Sequence, residues 1–153
     1  MTTSDKFHTS PAEEEKRHDG TEENACRLSD YYWERIDPEN PSADPGLAAE
    51  LFKWTSVAAS RHPDEYTYRL ATLYTCGVGC AKDTDKAIDL YVEVYGNGDW
   101  RGAHAVAAML VDFLESNPDI SVGERDRVEA EIERWALWAE EMRRPDCSKP
   151  FNK

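Results

Sequence analysis

Residues 70–91 read LATLYTCGVGCAKDTDKAIDLY, and this stretch decides the fold. Leu70, Leu73 and Tyr74 stand three and four residues apart, the spacing of one helix face. Gly77-Val78-Gly79 stops that helix, because glycine takes positive φ at little cost and lets the chain turn back tightly. Asp83 stands where an N-cap is wanted. Ala87, Leu90, Tyr91 and Val94 then resume the helical spacing. The stretch predicts a helical hairpin with a glycine turn.

The same grammar extends in both directions. Upstream, Leu28, Tyr31, Tyr32 and Arg35 share a face, and Pro45 suits the first turn of a second helix. Ala48, Leu51, Phe52, Thr55 and Ala58 follow at helical spacing, until His62-Pro63 breaks the run and Asp64-Glu65 open the next helix with acids. Downstream, Gly96-Asn97-Gly98 ends a helix and Asp99 caps another, whose face is Ala103, Ala107, Leu110 and Val111. Asn117-Pro118-Asp119 ends that one. Val128, Ile132, Trp135, Ala136 and Ala139 mark a long last helix. No alternating period-two run occurs, so the expected class is all-α, with six or seven helices.

These helices repeat. RLSDYY at 27–32 aligns with RLATLY at 69–74, and VAAMLV at 106–111 aligns again. The partner helices align as Ala48-x-x-Leu51-Phe52, Ala87-x-x-Leu90-Tyr91 and Ile132-x-x-Trp135-Ala136. Two helix types alternate, A-B-A-B-A-B, and stacked hairpins of this kind bury a core that none closes alone.

Residues 70–91, with Gly98 and Ala103, resemble the Sel1-like repeats, relatives of the tetratricopeptide repeats. The family pattern is similar to L-G-x-L-Y-x-x-G-x-G-V-x-x-D-x-x-K-A-x-x-W-Y-x-x-A-A-x-x-G. Departures are Ala71 for the first glycine, Cys80 for valine, Leu90 for tryptophan, and Val94-Tyr95 for the small pair. The first and third repeats are degenerate, and the resemblance covers about residues 22–144 on the repeat alignment. It implies a short α-α superhelix of about three Sel1-like hairpins, right-handed, with A helices facing a concavity. Repeat neighbours would share their core, so no domain boundary is expected between 60 and 110. Residues 1–20 read as a flexible acidic and polar tail, 21–144 as the repeat domain, and 145–153 as a short tail.

Composition narrows the function. The 153 residues carry 31 acids against 18 Lys and Arg, a net charge of −13. Such a charge opposes sequence-independent nucleic-acid binding. No apolar run is long enough to span a membrane, and the opening residues lack the apolar core of a secretory signal. The expected location is therefore the cytoplasm. Cys26, Cys76, Cys80 and Cys147 then read as reduced, buried or half-buried structural thiols. Cys76 and Cys80 have no second Cys/His pair to complete a zinc site and the wrong spacing for a thioredoxin-type couple. The glycines at 77 and 79 follow a helix rather than a strand, so a dinucleotide site is not implied. His104 paired with Cys76 or Cys80 would need an orienting group that the sequence does not supply. Glu129, Glu131 and Glu133 spread around their helix as a solvated face. The expectation is no enzyme, no cofactor and no metal.

Recognition is the remaining use of such a scaffold. The acid excess has two readings of equal weight, plain solubility and steering toward a basic protein partner. The Sel1-like resemblance implies a non-enzymatic protein-binding module. Small acidic proteins of this kind resemble bacterial immunity proteins that capture and neutralise a toxin or effector. They also resemble adaptors that scaffold regulatory or secretion complexes. With A helices facing inward, the expected partner strip is Arg27, Tyr68, Arg69, Trp100 and His104, outside the core positions Leu28, Tyr31, Tyr32, Leu70, Leu73, Tyr74, Ala107, Leu110 and Val111. Trp135 is expected in the core, whereas Trp33, Trp100 and Trp138 lie off or near the edges of the apolar stripes, so one or more could anchor a partner, burial between hairpins being the commoner fate.

Overall fold

A computed structural model describes residues 22–144, with side chains from residue 24 onward. The expected tails at 1–20 and 145–153, and Cys147 with them, lie outside the described residues. Six helices follow in order among the described residues: α1 Glu22–Arg35, α2 Pro45–Arg61, α3 Pro63–Cys76, α4 Thr84–Gly96, α5 Trp100–Ser116 and α6 Val122–Arg143. There is no strand among the described residues, so the protein is all-α.

Local chemistry fixes the helix ends. The Asp44 carboxylate accepts the Leu47 N–H at 3.0 Å and Pro45 occupies the first turn of α2. One residue, His62, ends α2 and starts α3, with Pro63 supplying the preset φ. Gly77 closes α3 in the left-handed region at φ 69°, its N–H returning to the Leu73 carbonyl. Asp99 caps α5 by accepting the Arg101 N–H. Ser121 and Glu124 form a reciprocal capping box at the start of α6.

The chain divides into two compact units between Asp83 and Thr84. In the first, α1 packs on α2 and α2 on α3; in the second, α4 packs on α5 and α5 on α6. The division falls inside the 60–110 stretch expected to be undivided, between the A and B helices of the second repeat. Extensive helix packing runs within each unit.

In the first unit the core is Leu28, Tyr32, Ala48, Leu51, Leu73 and Val78, with Tyr31, Ile36, Phe52 and Trp54 packed on it. The 77–79 turn is pressed onto α2. A Cβ on Gly79, whose φ is 71°, would stand 2.1 Å from the Ala48 carbonyl oxygen, so glycine is required there. In the second unit the crossing of α4 and α5 is equally close. A Cβ on Gly102 would meet the Tyr91 carbonyl oxygen at 2.3 Å. This contact sets the rotation of α5, turning Gly102, Ala103, Val106, Ala107 and Met109 inward. Val111, expected in the core, is therefore left 39% exposed. Ala136 is likewise exposed rather than buried, and Ala139 alone is fully buried among the described residues of α6. Tyr95 fills the space instead: its ring stacks on Trp138 at 5.6 Å and meets Trp135 edge-on at 5.4 Å. Trp138 thus packs within the unit together with Trp135.

Candidate functional site

In the first unit, a polar seam runs through the helix contacts. Ser29 on α1 and Thr55 on α2 are fully buried, and their hydroxyls lie 2.7 Å apart. Arg69 on α3 reaches the same point. Its Nη1 donates to Ser29 Oγ at 2.9 Å and to Asp30 Oδ1 at 2.8 Å. The Tyr66 hydroxyl is 3.2 Å from both Asp30 oxygens and 3.5 Å from the Cys26 carbonyl. Burial, reinforced by the Asp30 charge, pushes the Tyr66 phenol well above its ordinary range, so it stays a proton donor. Burial also raises the Cys26 thiol, outweighing the Tyr66 hydrogen bond, and keeps it a poor nucleophile.

This seam corrects one expected partner residue. The repeat alignment puts Arg69 on an open strip, yet its side chain is only 9% exposed and is committed to Asp30 and Ser29. Its guanidinium also lies 4.8 Å from the Trp33 ring centroid and 5.1 Å from that of Tyr66. A sequence pattern reads a lone arginine beside Leu70 as solvated. Glu65, one turn back at 3.8 Å, is a local partner, but Ser29 and Asp30 are some 40 positions away, beyond the reach of any local signal.

Beside the seam, the first unit holds a half-open groove of about 490 Å³. Trp33, Ile36, Pro38, Pro41, Leu73 and Val78 give it apolar walls, with Leu51 at the base of the unit's core. Glu34, Thr72 and Cys76 also line it. Thr72 spends its hydroxyl on the Tyr68 carbonyl at 3.1 Å. Cys76 is an exposed free thiol, where a buried or half-buried one was expected; Cys26 and Cys80 are half-buried. Trp33, 37% exposed, is the one candidate anchor among the tryptophans that meets this groove.

Of the other strip residues, Arg27 is exposed and Tyr68 half-buried on the first unit. Trp100 and His104 belong to the second. Trp100 is half-buried, His104 is exposed, and their rings approach edge-on at 6.0 Å. The Arg143 guanidinium comes within 5.8 Å of the Trp100 ring from α6. Asp99, one residue before, is held below the usual carboxylate range chiefly by hydrogen bonds from the Arg101 side chain.

Among the described residues no three His, Cys, Asp or Glu side chains are grouped to hold a metal ion. No helix among them is long and apolar enough to cross a membrane. What the surface offers chemically is apolar and aromatic area set among carboxylates. Comparison with family models, characterised proteins and solved structures finds no match.

Proposed function

We propose that this protein is a non-enzymatic protein-binding module, an immunity-type protein that captures and neutralises a basic toxin or effector. The observation that carries the reading is large apolar area left in water on a strongly acidic chain. Trp33, Phe113 and Leu137 are 37%, 44% and 56% exposed, while the net charge is −13. Acidic fields accelerate encounter with a cationic partner, and desolvated aromatic anchors then hold it. The Sel1-like assignment belongs to this proposal and rests on the residues at 70–103.

An adaptor is the second reading, favoured by a specific observation. Both compact units expose large apolar side chains, Trp33 and Val57 on the first and Phe113 and Leu137 on the second. A scaffold that joins two proteins needs two such surfaces.

Affinity capture from the native cell, with the full chain as bait, separates the two. One basic partner in stoichiometric amount, whose toxicity co-expression suppresses, supports immunity. Several unrelated partners support the adaptor. Turnover of a small molecule by the purified protein sinks both. If the strip takes part, Tyr68→Ala or Trp100→Ala weakens capture by about 2 kcal/mol while the fold survives.

A further inference from the structure

We infer that the groove of the first unit receives an apolar segment of a basic partner: one or two large aliphatic or aromatic side chains flanked by Lys or Arg. The inference rests on the protein-binding reading and names the surface and the chemistry of the occupant. Its volume of about 490 Å³ suits large side chains and falls within the span of ordinary ligand pockets, about 300–1,000 Å³.

Polarity selects the kind of occupant. The walls are mainly hydrocarbon and indole, and Thr72 is already spent on its own helix. A polar metabolite would find too few converging donors there to fix its orientation. A leucine or phenylalanine side chain needs none.

Charge selects the flanks. Glu34 stands in the wall, and the exposed carboxylates of Asp37 and Glu39 bracket Pro38, another wall residue. No Lys, Arg or His is among the lining residues. Arg35, the cation nearest in sequence, is turned onto its own helix. Its Nη1 donates to the Tyr31 carbonyl at 2.8 Å, and its guanidinium sits 3.3 Å from the Tyr31 ring centroid. Glu34 in the wall, with Asp37 and Glu39 next to Pro38 in sequence and Asp37 Oδ1 accepting the Glu39 N–H at 2.9 Å, therefore offers acid to an incoming cation.

The groove is also prepared in advance. The buried Arg69 braces the Trp33 ring, and Pro38 and Pro41 stiffen the facing loop. Little ordering is left for binding to bear.

Selection of random dodecapeptides displayed on phage against the full chain tests this. The expected consensus holds one or two of Leu, Ile, Phe or Trp with Lys or Arg close by. Affinity of the selected peptides should fall about tenfold or more in Trp33→Ala and in the groove-filling Cys76→Trp. It should fall similarly in the triple variant Glu34→Gln, Asp37→Asn, Glu39→Gln, and the loss should shrink as salt is raised. Circular dichroism checks each fold; should Cys76→Trp unfold, the triple variant, confined to exposed side chains, carries the test.

Peptides that bind Cys76→Trp as tightly as the parent overturn the inference, as does a consensus without basic residues. Recovery of no peptide overturns it too, and saturable binding of decanol in that case assigns the groove to an apolar small molecule. Undiminished capture of a cellular partner by the folded Cys76→Trp chain rejects the groove while leaving the protein-binding reading intact. Failure of the wild-type chain to capture any protein rejects that broader reading, whatever the peptides do.

Discussion

Replacing Arg69 by alanine separates a structural arginine from a partner-binding one. The substitution removes the Nη1 bonds to Ser29 Oγ and Asp30 Oδ1, at 2.9 and 2.8 Å. A hydrogen bond to a charged group contributes about 1.5–3 kcal/mol net. Asp30 is half exposed, so its abandoned carboxylate regains water and that share falls to about 1 kcal/mol. Ser29 is fully buried, and its bond keeps roughly the lower limit, about 1.5 kcal/mol. Losing the guanidinium beside Trp33 and Tyr66 adds about 0.5–1 kcal/mol. The expected cost is about 3 kcal/mol, which at a slope of about 2 kcal/mol/M lowers the urea midpoint by about 1.5 M. Urea titration followed by circular dichroism and tryptophan fluorescence reads it. A double-mutant cycle with Ser29→Ala should show coupling of about 1 kcal/mol, because the two side chains share one bond. A loss under about 1 kcal/mol, or no coupling, would refute the assignment of Arg69 to the core seam.

Three further outcomes follow from the geometry. Gly79→Ala should cost about 3 kcal/mol, from left-handed backbone and a Cβ driven onto the Ala48 carbonyl, whereas Gly96→Ala, with open space around it, should gain up to about 1 kcal/mol; thermal melts of the pair decide. Gly102→Ala should lower hydrogen-exchange protection in α4–α6 more than in α1–α3, because its clash lies wholly within the second unit. An equal loss in all six helices would show that the units open together. Asp99→Ala should destabilise by about 1 kcal/mol at neutral pH through loss of the cap. The Asp99 carboxyl is depressed in the folded state, so its contribution is complete above the unfolded carboxylate value of about 3.9 and disappears as pH falls through the lower folded value. A gap between parent and variant that persists unchanged to about pH 2 would contradict that linkage.

The helices and their ends were legible from sequence because their causes are local. Pro45, Pro63, Asp99 and the Gly77–Gly79 turn act on backbone within a few residues, and the structure uses each as its residue type dictates. Positions such as Leu28, Leu51, Leu73, Ala87 and Tyr91 were readable as core for the same reason: helical periodicity is a property of one segment at a time. Thr55 was marked by its place on an apolar face, although nothing local revealed that its hydroxyl meets Ser29.

Tertiary structure decided what depends on two segments at once. The close approach at Gly102 set the rotation of α5, and with it the exposure of Val111, through a backbone contact that side-chain periodicity does not encode. Packing of α1 and α3 against α2 buried Arg69 beside Ser29 and Asp30, turning an expected contact residue into a brace behind Trp33. The groove arose where the ends of α1 and α3 meet the proline loop, bringing Trp33, Pro38 and Cys76 around one cavity from separate stretches of chain. Sequence alone thus determined the helical class and most inward faces, since hydrogen-bonding propensity and apolar spacing are written locally. Which polar groups are spent inside, and which apolar ones remain exposed, was settled only when distant helices came within a few ångströms of one another.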